Sequence, residues 1–347
     1  MTQTRWKQRP PGSTWGDFGP DDQLGRLNLL TRAQVLKGVA EVREGRTFCL
    51  SLPLDLPGGN ALNARRHPPR HAATVQAGEP CMNYPMSRID ADSLDLLSDD
   101  QVLLSLQYST QWDAFAHIGA CFDTEGDGVE RRVYYNGFRA GIDICGGADE
   151  AHEDCGGSHS AFGAHRLGIE HFANHGMQGR AVLVDLARHH GLGRTLIGYD
   201  AWQAVLASDG IAIEAGDMLV IRTGFAEVVT GMAGKPDADA LHQAGAVLDG
   251  RDERLLDWIT ASGITAICTD NYAVEAYPAR PQPGRRSLLP LHHHCLFKLG
   301  LPLAELWYLR DLAEWLAANG RQRFLLTAPP LRLPGAVGSP VTPIATV

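Results

Sequence analysis

Three short, almost wholly apolar runs limit the folds open to this chain: A-V-L-V-D-L at 181–186, M-L-V-I-R-T at 218–223 and I-T-A-I-C at 264–268. Apolar runs of this length, rich in β-branched residues, read as strands covered on both faces. Helix signals lie between them. Asp200 and Gln203 form a capping pattern for a helix through Ser208, and residues 252–262 form another. Earlier, Thr31 and Gln34 make a capping box for a helix ending at Gly45, and T-F-C-L-S-L-P-L from Thr47 reads as a strand. Residues 102–110 and 323–327 read as further strands, and an amphipathic helix follows Glu305 to about Ala318. Strand and helix alternate, so the expected class is α/β. Pro- and Gly-rich residues 1–30 are expected to wrap the surface as an ordered arm on a single domain spanning 1–347, since no linker or repeat divides the chain.

Composition narrows the function. With 347 residues and 44% hydrophobic content the chain can bury a sizeable core. Thirty-one basic against 40 acidic residues give a formal charge of -9, which disfavours nucleic acid and anionic membranes and leaves a small molecule as the expected partner. Seven irregularly spaced cysteines without a CxxC do not make a disulfide framework, so a reducing, cytoplasmic setting is expected. The N-terminal residues lack the apolar core of a signal peptide, and no run approaches the roughly 18 residues of a membrane span.

Residues 107–117, Q-Y-S-T-Q-W-D-A-F-A-H, carry the first chemical constellation. In an extended backbone Gln107, Ser109, Gln111 and Asp113 share one face, with Leu106, Tyr108 and Trp112 on the other. Asp113 and His117 are four apart, so a helical turn would hold them together. A carboxylate beside an imidazole is a metal site or an acid/base pair, unless Asp113 caps a helix and His117 faces water. A second constellation, L-H-H-H-C-L-F-K-L-G-L-P-L-A-E from Leu291 to Glu305, sets three histidines before an apolar stretch that ends in a glutamate. Cys145, His152, Cys155 and His159 form a Gly-rich group whose spacing matches no standard zinc pattern. Arg65, Arg66 and Arg70 lie in a loop at 57–86, either as a flap toward a substrate carboxylate or as a solvated run. Tyr134 and Tyr135, in the aromatic segment 131–138, line a pocket for a flat substrate or belong to the core.

The 107–117 stretch resembles the signature of the Putative cyclase family, which includes bacterial kynurenine formamidases and isatin hydrolases and whose motif is H-x-G-T-H-x-D-x-P-x-H. Thr110, Asp113 and His117 match it; Ser109 stands for the Gly and Phe115 for the Pro. The two leading His positions are Gln107 and Gln111. Further likeness lies in the G-x-L-N-L-L-T phrase ending at Thr31, in Gly179 to Asp185, in Gly216 to Gly224, and in the closing segment from Pro329. The family also places a ligand His twelve residues before a ligand Glu, a spacing that His293 and Glu305 satisfy, with Leu306 where an Asn usually follows.

The resemblance implies a swivelling β/β/α fold with a mixed sheet and flanking helices, often a dimer or tetramer. It also implies a divalent-metal site that cleaves an amide or cyclic amide C–N bond. Asp113, His293 and Glu305 are then the expected ligands of one ion, Mn²⁺ or Zn²⁺, and His117 the general base. Gln is a weak metal ligand, so one ion is expected rather than two, with Gln107 and Gln111 bonding the substrate beside Trp112, Phe115, Tyr134 and Tyr135. A lactone hydrolase, a cyclase or dehydratase, and an inactive small-molecule-binding relative are the alternatives.

Overall fold

In the computed structural model, which describes residues 4–146 and 162–347, the apolar runs occupy the centre of a nine-stranded mixed sheet. In chain order its strands are β1 (Thr47–Cys49), β2 (Gln111–Asp113), β3 (Gln178–Asp185), β4 (Met218–Arg222) and β5 (Ala266–Thr269). They continue with β6 (Leu303–Glu305), β7 (Arg323–Thr327), β8 (Gly338–Pro340) and β9 (Ile344–Thr346). The spatial order is β1-β9-β7-β3-β4-β5-β6-β2-β8. Strands β3 to β6 run parallel, as their apolar sequences require for a surface covered on both faces; the flanking pairs are antiparallel. Helices α1 (Arg32–Val39), α2 (Tyr199–Ser208), α3 (Glu253–Ser262) and α4 (Arg310–Ala318) accompany the sheet. The α/β expectation holds: this is a large mixed sheet with helices.

Several local expectations change. Helix α1 stops at Val39, and Thr31 makes no side-chain cap; Gln34 instead donates to the Ala215 carbonyl at 2.9 Å. Asp200 lies inside the first turn of α2, where the free N–H of Tyr199 is taken by Asp252, a carboxylate that also caps α3. The expected strand over 102–110 is divided. Asp100–Leu103 pairs with Arg70–Ala73 in an outer hairpin, 104–110 are irregular, and extended pairing resumes at Gln111. Short polar side chains take the ladder's place: Ser109 Oγ donates to Pro53 O at 3.2 Å, and Thr110 Oγ1 donates to Leu306 O at 2.5 Å.

Two features position the site. The three-residue helix Pro290–His292 runs directly into a π-helix, His293–Leu299. The N-terminal arm braces that π-helix: Trp15 donates its indole N–H to Phe297 O at 2.8 Å and packs edge-on to the Phe297 ring, 5.2 Å between centroids. Where the π-helix ends, Gly25 and Gly300 meet so closely that a Cβ on Gly25 would lie 2.1 Å from the Gly300 oxygen. Among the described residues Cys49, Cys81, Cys121, Cys268 and Cys295 are free thiols. Among the described residues no helix is long and apolar enough to cross a membrane.

Candidate metal centre

The pairing of β2 with β6 creates the site. Gln111 lies opposite Glu305 and Asp113 opposite Leu303, so Gln111, Asp113 and Glu305 share one face of an antiparallel pair. The Gln111 amide donates to Glu305 Oε2 at 3.1 Å. The intervening residues, Trp112 and Ala304, are on the other face, where Trp112 packs against Trp307 at 5.6 Å and donates to Ala328 O.

His292 closes the cluster. Its Nε2 is 3.2 Å from Glu305 Oε1 and 3.8 Å from Asp113 Oδ2. One ligand atom from each of Asp113, His292 and Glu305 lies within 4.8 Å of the others, all three buried. The structure therefore brings His292 to the carboxylates, not His293. Successive residues of a helix project about 100° apart, so only one of three consecutive histidines can face the site. His293 stacks against Phe297 at 4.8 Å, where burial and then Lys298 lower its pKa to about 4. The Nε2 of His294 meets Thr260 Oγ1 on α3 at 2.8 Å. The His–Glu spacing is thus thirteen rather than twelve, in keeping with a π-turn, which holds one residue more than an α-turn.

The electrostatics are those of a cation site. Asp113 is 1% exposed, yet neither of its carboxylate oxygens has a hydrogen-bond partner, and the Gln111 Oε1 is similarly unpaired. Burial raises the Asp113 pKa against the opposing pull of His117. Burial also acts to raise Glu305, but its bond from His292 wins and the net shift is downward. Burial lowers His292, and its bonds to Glu275 and Glu305 more than reverse this, lifting it to about 10. A buried group of two carboxylates and one imidazole, with two orphaned oxygens, fits a divalent cation. His117 stands at the edge, its Nε2 3.9 Å from Asp113 Oδ1 and its side chain 21% exposed.

The other expected residues divide. Gln107 lies just before β2, its side chain against Gly338 on β8 and its carbonyl accepting from Arg66 at 2.7 Å. Phe115 is core, packed on Tyr135 and Phe172, and the buried Tyr135 hydroxyl donates to Asp22. Tyr134 is half-buried and lines an 870 Å³ apolar cavity that also touches Ala116, next to His117. Of the four aromatics proposed for a substrate pocket, only Tyr134 borders an open space. Of the Cys145, His152, Cys155 and His159 group, all but Cys145 lie outside the described residues.

Sequence reasoning missed Glu275, which holds His292, and left Arg66 between a flap toward a substrate carboxylate and a solvated run. Arg66 acts electrostatically on Asp113, His117 and Glu305. Nothing in local sequence marks Glu275, because its contacts are with residues sixteen and seventeen positions away. Leu306, where an Asn was expected, has φ 58°. That left-handed conformation favours Asn, which gives the usual Asn a backbone rationale.

Comparison with known proteins identifies the family. The profile of the family described as Putative cyclase matches residues 50–276. A crystal structure described as a novel cyclase is 30% identical, covers 98% of this chain and 100% of its own, and superposes with a TM-score of 0.75. Isatin hydrolase A of Ralstonia solanacearum (16% identity, 91% of this chain and 97% of that one) has a TM-score of 0.54. Isatin hydrolase A of Labrenzia aggregata, bound to benzyl benzoate, has a TM-score of 0.55 at 14% identity, over 91% and 98% of the two chains. These last two establish likeness of fold alone. No curated protein matches the chain. Profile, fold and the Thr110–Asp113–His117 pattern converge, and the chain belongs to the Putative cyclase family.

Proposed function

We propose that this protein is a metal-dependent hydrolase that cleaves an amide or cyclic amide C–N bond of a small, largely apolar substrate. One observation carries the reading: Asp113, a buried carboxylate with no hydrogen-bond partner, faces His292 and Glu305 with His117 at the rim. Asp113, His292 and Glu305 would hold one divalent ion. When bound, such an ion supplies Lewis-acid chemistry, acidifying water and polarising a carbonyl.

The remaining work falls to the chain. Burial lowers the His117 pKa, against the attraction of Asp113, so its imidazole is neutral at neutral pH. Its Nε2 accepts a proton from water and delivers it to the leaving nitrogen. Arg66, which donates to the Gln107 carbonyl and whose charge acts on Asp113 and Glu305, favours the negative charge that develops on the carbonyl oxygen. The 870 Å³ apolar cavity, whose lining includes Ala116 next to His117, would receive the substrate's apolar part. Self-association is proposed on a separate observation, the exposed apolar side chains Val75, Ile89, Leu94, Leu96 and Leu103 of the 70–103 hairpin region.

The test is metal-stripped protein reconstituted with Mn²⁺ or Zn²⁺ and assayed in parallel on formamides, cyclic amides and lactones. Metal-dependent opening of an amide is expected. Turnover confined to lactones would move the reading to ester chemistry, and no metal-dependent hydrolysis in any class would overturn it.

A further inference from the structure

Glu275 is fully buried, and its carboxylate accepts three N–H groups from one short stretch of chain. Oε2 accepts from the Leu291 amide at 2.8 Å; Oε1 accepts from the His292 amide at 2.8 Å and faces His292 Nδ1 at 2.9 Å. Backbone and ring of the same histidine are thus tied to one oxygen, which fixes the direction of the imidazole. The opposite ring nitrogen, Nε2, is the one turned toward Glu305 and Asp113.

The surrounding chain is shaped to hold this carboxylate. Ala273 and Val274 precede it with φ 72° and 55°, the second an outlier for a β-branched residue. Leu248 pins the turn on both sides: its amide donates to Val274 O at 3.2 Å, and its carbonyl accepts from Ala276 at 2.9 Å. Gly250 leaves room for the side chain, since a Cβ there would lie 2.4 Å from Glu275 Oε2 and 2.9 Å from the Leu291 nitrogen.

We infer that Glu275 is the positioning residue of the metal centre: it holds a proton on Nδ1 of His292 and aims Nε2 at the carboxylates, so that Nε2 is the nitrogen that gives up its proton to the ion. A carboxylate only accepts hydrogen bonds, so the nitrogen facing it carries hydrogen. An outer carboxylate of this kind also makes the ligating nitrogen more basic. The inference rests on the metal reading proposed above.

Calorimetric titration with zinc separates the two. The wild-type protein is expected to bind one equivalent, and Glu275→Gln about 10- to 100-fold more weakly. Gly250→Ala, which keeps every ligand and crowds both the carboxylate and the Leu291 amide that it accepts from, should weaken zinc in the same direction. In zinc-loaded wild-type protein, nitrogen-15 NMR should show His292 protonated at Nδ1, with a slowly exchanging proton that is lost in Glu275→Gln. If Glu275→Gln does not fold, Gly250→Ala and the wild-type spectrum decide the matter. A wild-type protein that takes up no zinc overturns the metal reading itself. Zinc bound equally tightly by both variants, or coordinated through Nδ1 of His292, overturns the role of Glu275 alone.

Discussion

His117 Nε2 lies 3.9 Å from Asp113 Oδ1, beyond hydrogen-bond reach, so the two residues interact through charge without sharing a proton. His117 is left available to a substrate or a water, and its neutral form is the favoured one because burial outweighs Asp113. His117→Ala is expected to lower kcat by about 10²- to 10⁴-fold while the metal content of the purified protein stays unchanged. With its pKa below the usual value near 6.5, kcat/KM should stay level as pH falls through about 6.5 and decline only at lower pH. A variant that keeps wild-type kcat would remove this role.

The two glutamines predict the ion count. Gln111 already donates to Glu305 at 3.1 Å, and a neutral amide oxygen holds a divalent ion far less well than an imidazole. Elemental analysis of purified protein should therefore return one ion per chain, and the double variant Gln107→His, Gln111→His should take up a second. Two tightly held ions in the wild type would contradict the assignment.

Strand-level information was legible where it was local. Val182 to Val184 and Met218 to Ile221 are apolar because they are covered on both faces, and that pattern is written in consecutive residues. Asp113, His117 and Glu305 were legible through the resemblance. The choice among His292, His293 and His294 was not, since it depends on the phase of a helix that changes from α to π winding at that point. Trp112 and Phe115 look the same in sequence whether they line a pocket or fill a core; here the β2–β6 register and the packing on Phe172 decide for the core.

Asp113→Asn should separate stability from function. The wild-type carboxylate is buried, with both oxygens unpaired, a situation that costs about 1–3 kcal/mol when no cation is bound. The neutral amide removes the charge at nearly constant volume. Denaturant unfolding of metal-free protein at pH 7 should show no loss of stability, and metal titration should show binding lost. A less stable metal-free variant would mean that the carboxylate supports the fold.

His292 sets the pH dependence of metal uptake. Its pKa, raised to about 10 by Glu275 and Glu305 against the effect of burial, keeps Nε2 protonated at neutral pH in the metal-free protein. For the metal-free fold, the sign follows directly: this contribution to stability is full below the ordinary value near 6.5 and fades as pH rises through about 10. Metal binding has the opposite slope, because the ion must displace that proton. Manganese affinity should rise about tenfold per pH unit between roughly pH 6 and 8, and calorimetry in buffers of different ionisation enthalpy should register about one proton released per ion. An affinity that does not change over this range would place the ion somewhere other than on His292.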